Sequence, residues 1–172
     1  MEVEFFVPGI PVTKGSKSGF VVPRRGAHPM VVRGLKHYLL RDVQVVMTEQ
    51  AKDRLAPWMQ QIRAECCKVR SGPLWDMAVE LELTFMFPRP KGDFGTGRNA
   101  GTLKASAPRY KITRPDLDKV ERAVKDALTG VLYVDDSVVV KTTKEKKFDS
   151  HYPGVMIRAR TMSDDLGLDR PL

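Results

Sequence analysis

Apolar and polar residues alternate along some stretches of this chain and fall into helical stripes along others. Met77, Val79, Leu81, Leu83, Phe85 and Phe87 take every second place, with Ala78, Glu80, Glu82, Thr84 and Met86 between them. A period of two held this long predicts a strand with one face in a core. The other face is polar, as in an antiparallel sheet with a wet side. Residues 2–7 read as a strand stopped by Pro8-Gly9. Val155, Ile157 and Ala159 alternate with Met156, Arg158 and Arg160 in a last strand opened by Pro153-Gly154. Short β-prone pieces at 20–22 and 30–32 flank a basic turn, and a further strand spans about 138–147. Leu35, Leu39, Val43, Val46 and Met47 recur at helical spacing, which predicts a helix over 35–55. Pro57 is expected to interrupt it, with a second piece running from Trp58 to Val69. Leu117, Val120, Val124, Ala127 and Leu128 form one stripe of another helix, stopped by Thr129-Gly130.

These elements predict an α+β fold: a mixed, mostly antiparallel sheet with two main helices packed on it. One domain is expected over 1–161, followed by a short acidic tail, 162–172. Between Pro88 and Arg114 the periodicity disappears. Gly92, Gly95, Gly97, Gly101, Pro88, Pro90 and Pro108 punctuate the segment. Arg89, Lys91, Arg98, Lys104, Arg109, Lys111 and Arg114 face a single acid, Asp93, for a net +6. A loop this long in a compact domain is either functional or a floppy insertion.

Charge sharpens the picture. Lysine and arginine total 29 against 21 acids, a net of +8, which points first to a polyanionic partner such as nucleic acid. The tail from Thr161 nets −2, so the body nets +10. No apolar run is long enough to span a bilayer. The start has acids where a signal peptide needs bases, so a cytoplasmic, nucleoid-associated location is expected. Cys66 and Cys67 are adjacent and His28, His37 and His151 are scattered, which excludes a disulfide framework and a zinc site.

The chemistry concentrates in the acids. Asp116 and Asp118 stand where the basic loop becomes a helix, and point the same way only if the backbone between them is extended. Asp135-Asp136 follows an apolar run seventeen residues after Asp118. Such carboxylates in a basic body make a hard-oxygen set of the kind Mg²⁺ requires. Each also has a plain structural explanation: Asp116 and Asp118 as helix caps, with Asp118 and Glu121 forming a box, and Asp135-Asp136-Ser137 as a turn. Asp-x-Asp occurs in sugar-nucleotide transferases and Asp-based phosphatases too, but the phosphatases place it after a buried apolar strand rather than a basic Pro-containing loop, and the transferases need a larger nucleotide-binding domain.

Arg114-Pro-Asp-Leu-Asp-Lys-Val-Glu-Arg-Ala-Val-Lys-Asp-Ala-Leu-Thr-Gly130, followed by Val131-Leu-Tyr-Val-Asp-Asp-Ser-Val138, closely resembles the signature of the RusA family of Holliday-junction resolvases. Val7 to Gly15 is similar to the family's opening strand and basic turn, and Lys144 to Lys147 with Pro153 to Ile157 to its closing strands. The resemblance covers most of the chain; 35–70 matches in pattern only. It implies a homodimeric, Mg²⁺-dependent endonuclease (Mn²⁺ substituting) that cuts four-way DNA junctions symmetrically in recombination and repair, in a phage, prophage or host setting. The implied catalytic acids are Asp116, Asp118 and Asp136, which hold the metal, with Asp135 beside them. Arg122 stands where the best-known members carry Lys, and Lys119 where many have Asn, so charge stabilisation is implied for them rather than proton transfer. Asp126 also matches the family, but its spacing predicts a helix-face pair with Arg122. Lys14, Lys17, Arg24, Arg25, Arg98, Lys104, Arg109 and Lys119 are the expected DNA contacts. Phe94 or Tyr110 wedges at the crossover or anchors the loop. The dimer is expected to use apolar surface near 35–69 or 76–87. The alternatives are a nuclease of broader branched-DNA or flap specificity, and a junction-binding protein without catalysis.

Overall fold

The computed structural model describes residues 1–14, 17–27, 30–32, 35–37, 43–49 and 52–163. The chain divides into two compact units, 15–52 and the remainder. In the smaller unit, β2 (Lys17–Pro23) pairs antiparallel with β5 (Val43–Glu49), and β3 (Met30–Val32) pairs antiparallel with β4 (Leu35–His37). The helix expected over 35–55 is therefore replaced by strands at 35–37 and 43–49. The β-branched Val43, Val45, Val46 and Thr48 favour an extended backbone, and a short apolar run carries both periods at once.

The larger unit holds β1 (Glu2–Pro8), α1 (Lys52–Val69), β6 (Val79–Pro88), α2 (Leu117–Leu128), β7 (Val139–Asp149) and β8 (Gly154–Thr161). Four strands form one sheet in the order β1-β8-β6-β7. β8 runs antiparallel to β1 and β6, while β7 lies parallel to β6. The sheet is mixed and mostly antiparallel, and the two helices complete an α+β fold. Pro57 does not break α1; it falls near the start of the helix, where its missing N–H removes one bond and the helix continues to Val69.

One sheet face builds the core. Phe5 and Val7, the alternating Val79 to Phe87, and Val155, Ile157 and Ala159 meet Trp58, Ile62 and Cys66 of α1 and Val120, Val124, Ala127 and Leu128 of α2. Gly154 is needed beside β1, since a Cβ there would stand 2.4 Å from Phe6 and Val7. The opposite face is laid out in charged rows by the register. Glu2, Arg160, Glu80 and Lys141 form one row; Glu4, Arg158, Glu82 and Thr143 form the next. Arg160 and Lys141 reach Glu80 at 2.6 and 2.8 Å, and these bonds hold its carboxyl below the usual carboxylate range although only 3% of the residue is exposed. Acids and bases on this face cancel, so it contributes little to the positive excess of the chain. No described helix is long and apolar enough to cross a membrane.

Candidate active site

The entrance to α2 is built around Asp116. It occupies the N-cap position with extended dihedrals, φ −71° and ψ 140°, and its carbonyl accepts from Lys119 N at 3.2 Å. A capping aspartate normally turns its carboxylate onto the first helical N–H groups. Here the side chain makes no cap bond and meets Lys119 Nζ at 3.1 Å instead. Lys119, and at longer range Arg114 and Lys146, hold the Asp116 carboxyl below the usual range, so it is anionic at neutral pH. Asp118 follows in the first turn, exposed and without a hydrogen bond or ion pair among the described residues. The Asp118–Glu121 box is not formed. Glu121 is turned to Lys125 at 2.8 Å and to Lys144.

β7 supplies the supports, which the sequence pattern did not single out. Lys144 pairs with Glu121, and Lys146 Nζ donates to Pro115 O at 2.7 Å and Thr113 O at 2.9 Å. The alternating lysines of β7 were the available signal: two residues apart on a strand, they share one side.

The second acid pair splits in two. After α2, Gly130 takes φ +72°, and buried Tyr133 turns its hydroxyl back to Lys125 O at 3.0 Å. Trp75 ties down the same turn through Trp75 N to Leu132 O and Val134 N to Trp75 O, both at 3.0 Å. Asp135 accepts from Ser137 N at 3.0 Å and so performs the turn role, and the Ser137 side chain, followed by this backbone bond, holds its carboxyl below the usual range. Asp136 opens the short 3₁₀ turn Asp136–Val138, exposed and without a hydrogen bond or ion pair among the described residues. Burial first, and then the charge of Asp136, push the Tyr133 hydroxyl pKa up.

Asp116 and Asp118 thus stand at the start of a helix of 12 residues, about 18 Å long, and Asp136 follows beyond its end, after the Gly130 turn. Among the described residues no three His, Cys, Asp or Glu side chains come together closely enough to hold a metal ion. The acids fit a hard divalent cation in kind, being oxygen donors with Asp118 and Asp136 unpaired, but a single chain does not gather them.

The 88–114 segment is ordered by its own hydrogen bonds rather than structureless. Gly95 N donates to Thr102 O and Lys104 N to Asp93 O, both at 2.9 Å, closing a narrow excursion over 93–104. Gly95 faces Asn99 so closely that a Cβ would lie 2.6 Å from its carbonyl oxygen. Arg89 binds Asp93 and Pro108 O and lies over the Phe148 ring, so it serves the loop's own structure. Of the expected DNA contacts, Arg98 is exposed in the turn Gly97–Asn99, Lys104 donates to Gly92 O at 2.7 Å, and Arg109 lies over the Tyr110 ring. Tyr110 is 49% exposed and Phe94 is half-buried. Lys14 is paired with Asp126, which replaces the expected Arg122–Asp126 pair, and Arg122 is exposed. Arg24 and Arg25 are exposed in the turn after β2; the side chain of Lys17 and the tail 164–172 lie outside the described residues.

Exposed carboxylates beside a cationic loop, on an α+β frame, suit chemistry on a polyanion. The family described as Endodeoxyribonuclease RusA matches residues 35–160. An uncharacterized protein of Bacillus subtilis (strain 168), YqaN, is 28% identical over 133 residues, covering 77% of this chain and 91% of the relative. The chain belongs to the RusA endodeoxyribonuclease family.

Proposed function

We propose that this protein is a Mg²⁺-dependent, homodimeric endonuclease that resolves four-way DNA junctions by paired, symmetric strand cuts. The observation that carries this reading is the release of three acids from structural duty. Asp116 sits at a cap position without capping, and Asp118 and Asp136 lack partners, while Asp135 and Glu121 take the structural bonds. Unpaired carboxylates in a strongly basic protein repel its substrate unless a cation joins them. Asp116, Asp118 and Asp136 would hold Mg²⁺, or Mn²⁺ in its place, and such an ion when bound activates water and stabilises the departing oxygen. The chain's own cations do the rest. Lys119 keeps Asp116 ionised, and exposed Arg122, on the same helix, offsets phosphate charge as it grows in the transition state. Arg98 and Arg109 follow the backbone of the arms, contacts that give affinity without reading bases. Cutting opposed strands calls for two sites related by a two-fold axis.

The test is a panel of labelled substrates: fixed and mobile four-way junctions, a flap and plain duplex, each with Mg²⁺, Mn²⁺ or EDTA. Paired nicks on the junctions alone are expected, abolished by EDTA. Equal cutting of the flap would replace junction specificity by a broader branched-DNA activity. Binding without cutting in either metal would refute catalysis.

A further inference from the structure

The cationic segment 109–114 carries its apolar side chain the wrong way round. Ile112 is 91% exposed, more than any other large apolar residue among those described. Its neighbour Lys111 turns inward instead. The Lys111 amine lies 5.4 Å from the Phe87 ring centre and 5.3 Å from that of Phe148, and donates to Thr113 Oγ1 at 2.9 Å. Folding ordinarily buries isoleucine and leaves lysine in water. The backbone on either side gives Ile112 little freedom to withdraw. Phe148 N donates to Arg109 O at 3.0 Å, and Lys111 N to Lys146 O at 3.3 Å. Lys146 Nζ donates to Thr113 O at 2.9 Å and to Pro115 O at 2.7 Å. Residues 109, 111, 113 and 115 are thus fastened to β7, and Ile112 projects between the two central fastenings.

Its surroundings select the partner. Arg109 and Arg114 are exposed on either side of it in sequence, and ionised Asp116 follows four residues on, within about 14 Å by the reach of the chain. Cations around a single rigid apolar side chain suit the phosphates around one base step, and side chains of this kind enter between stacked bases and part them. An intact duplex resists this. At a branch the stack is already interrupted, so the cost of entry falls. With a rise of about 3.4 Å per base pair, the parted step would lie within about four pairs of the acids. The aromatic residues of the loop are engaged elsewhere. Phe94 is half-buried and bridged to Leu103, and the Arg109 guanidinium lies 5.3 Å from the Tyr110 ring centre.

We propose that Ile112 is a wedge that parts the base pair at the branch point of DNA, and that it sets the preference for junctions over duplex. The wedge takes its substrate class from the nuclease reading above, so its test reads unstacking and cutting separately. The probe is a fixed four-way junction with 2-aminopurine at the branch, a base that brightens when unstacked, bound in Ca²⁺ so that it stays uncut. Wild type should brighten it at saturation. Ile112→Ala should leave it dark and narrow the junction-over-duplex affinity ratio about tenfold, the effect of one stacked step. Duplex affinity and the salt slope should hold, since no phosphate contact is lost. Ile112→Met keeps an apolar wedge and should restore both signals. The side chain is exposed, so the alanine variant should melt like wild type. A wild type that binds without brightening the probe overturns the wedge, as does an alanine variant equal to wild type in fluorescence and preference. An alanine variant that sediments as a smaller species assigns Ile112 to a subunit contact and also overturns it. Cutting in Mg²⁺ beside a dark probe leaves the nuclease reading standing without the wedge. A bright probe with no cutting in Mg²⁺ or Mn²⁺ keeps the wedge and condemns the nuclease reading, and failure to bind the junction overturns both.

Discussion

Replacing Lys146 by Met should loosen the acid-bearing entrance to α2 while leaving the sheet whole. The substitution keeps side-chain length and removes two charge-assisted bonds, at 2.7 Å to Pro115 O and 2.9 Å to Thr113 O. Hydrogen bonds to charged groups contribute about 1.5–3 kcal/mol each when enclosed, but one of these is open to solvent, so a total near ~2 kcal/mol is expected. For a chain of this size that corresponds to a fall in Tm of about 4–8 °C. The second effect is electrostatic. Lys146 is one of the cations that lower the Asp116 pKa, after Lys119 and Arg114. A carboxyl lowered on folding adds stability above its unfolded pKa and loses it as pH falls through the folded value. Without Lys146 the folded value rises and that acid window narrows from its low end. Thermal melts between neutral and acid pH, with carboxyl NMR titration of Asp116, read both effects. Lys146→Arg should restore part of each. An unchanged melt together with an unmoved Asp116 titration would refute the reasoning, because both bonds and the field would then count for nothing.

Asp116→Asn, Asp118→Asn and Asp136→Asn should each abolish cleavage while junction binding persists or strengthens in a gel-shift assay; near-normal turnover in Mg²⁺ would return these acids to caps and turns. Ca²⁺, with its looser coordination, should support binding without cutting in the same assay. Arg98→Ala combined with Arg109→Ala should lower the log–log salt slope of junction binding by about 2, at roughly 0.9 per phosphate on duplex arms; an unchanged slope would make the loop a bystander. Tyr133→Phe removes the bond to Lys125 O and should cost about 1 kcal/mol by denaturant unfolding, with cleavage reduced because the turn bearing Asp136 loosens.

What the sequence made legible follows from how local each signal is. The alternation over 77–87 and the stripe from Leu117 to Leu128 each specify a buried face by themselves, and β6 and α2 stand where the pattern put them. The 35–49 segment failed because its apolar positions satisfy a helical and an extended period together, and β-branching decides only once a pairing strand is present. The 88–114 segment has no period to read, since its order comes from turn bonds such as Gly95 N to Thr102 O. Asp116 and Asp118 are visible as candidates in the sequence, but only the folded chain shows that Asp116 does not cap and that Asp135, not Asp136, takes the turn bond. The partner of Asp126 was misassigned because a spacing of four on a helix is a local rule, and Lys14 arrives from 112 residues away.

The parallel pairing of β6 with β7 has a consequence for how the segment between them can vary. A chain that leaves β6 and re-enters as a parallel neighbour must travel back along the sheet, and everything between Pro88 and Val139 belongs to that return path. The cationic excursion is its outbound half and α2, with the acids at its head, its homebound half. The two meet at Arg114, where Lys146 fastens the junction from below. Residues can be added to or cut from the 93–104 tip of the outbound half without disturbing its bonds to β7 at Arg109 and Lys111 or moving the fastened point. The basic loop and the acid-bearing entrance to α2 thereby share one continuous segment, with Lys146 holding the point where they join.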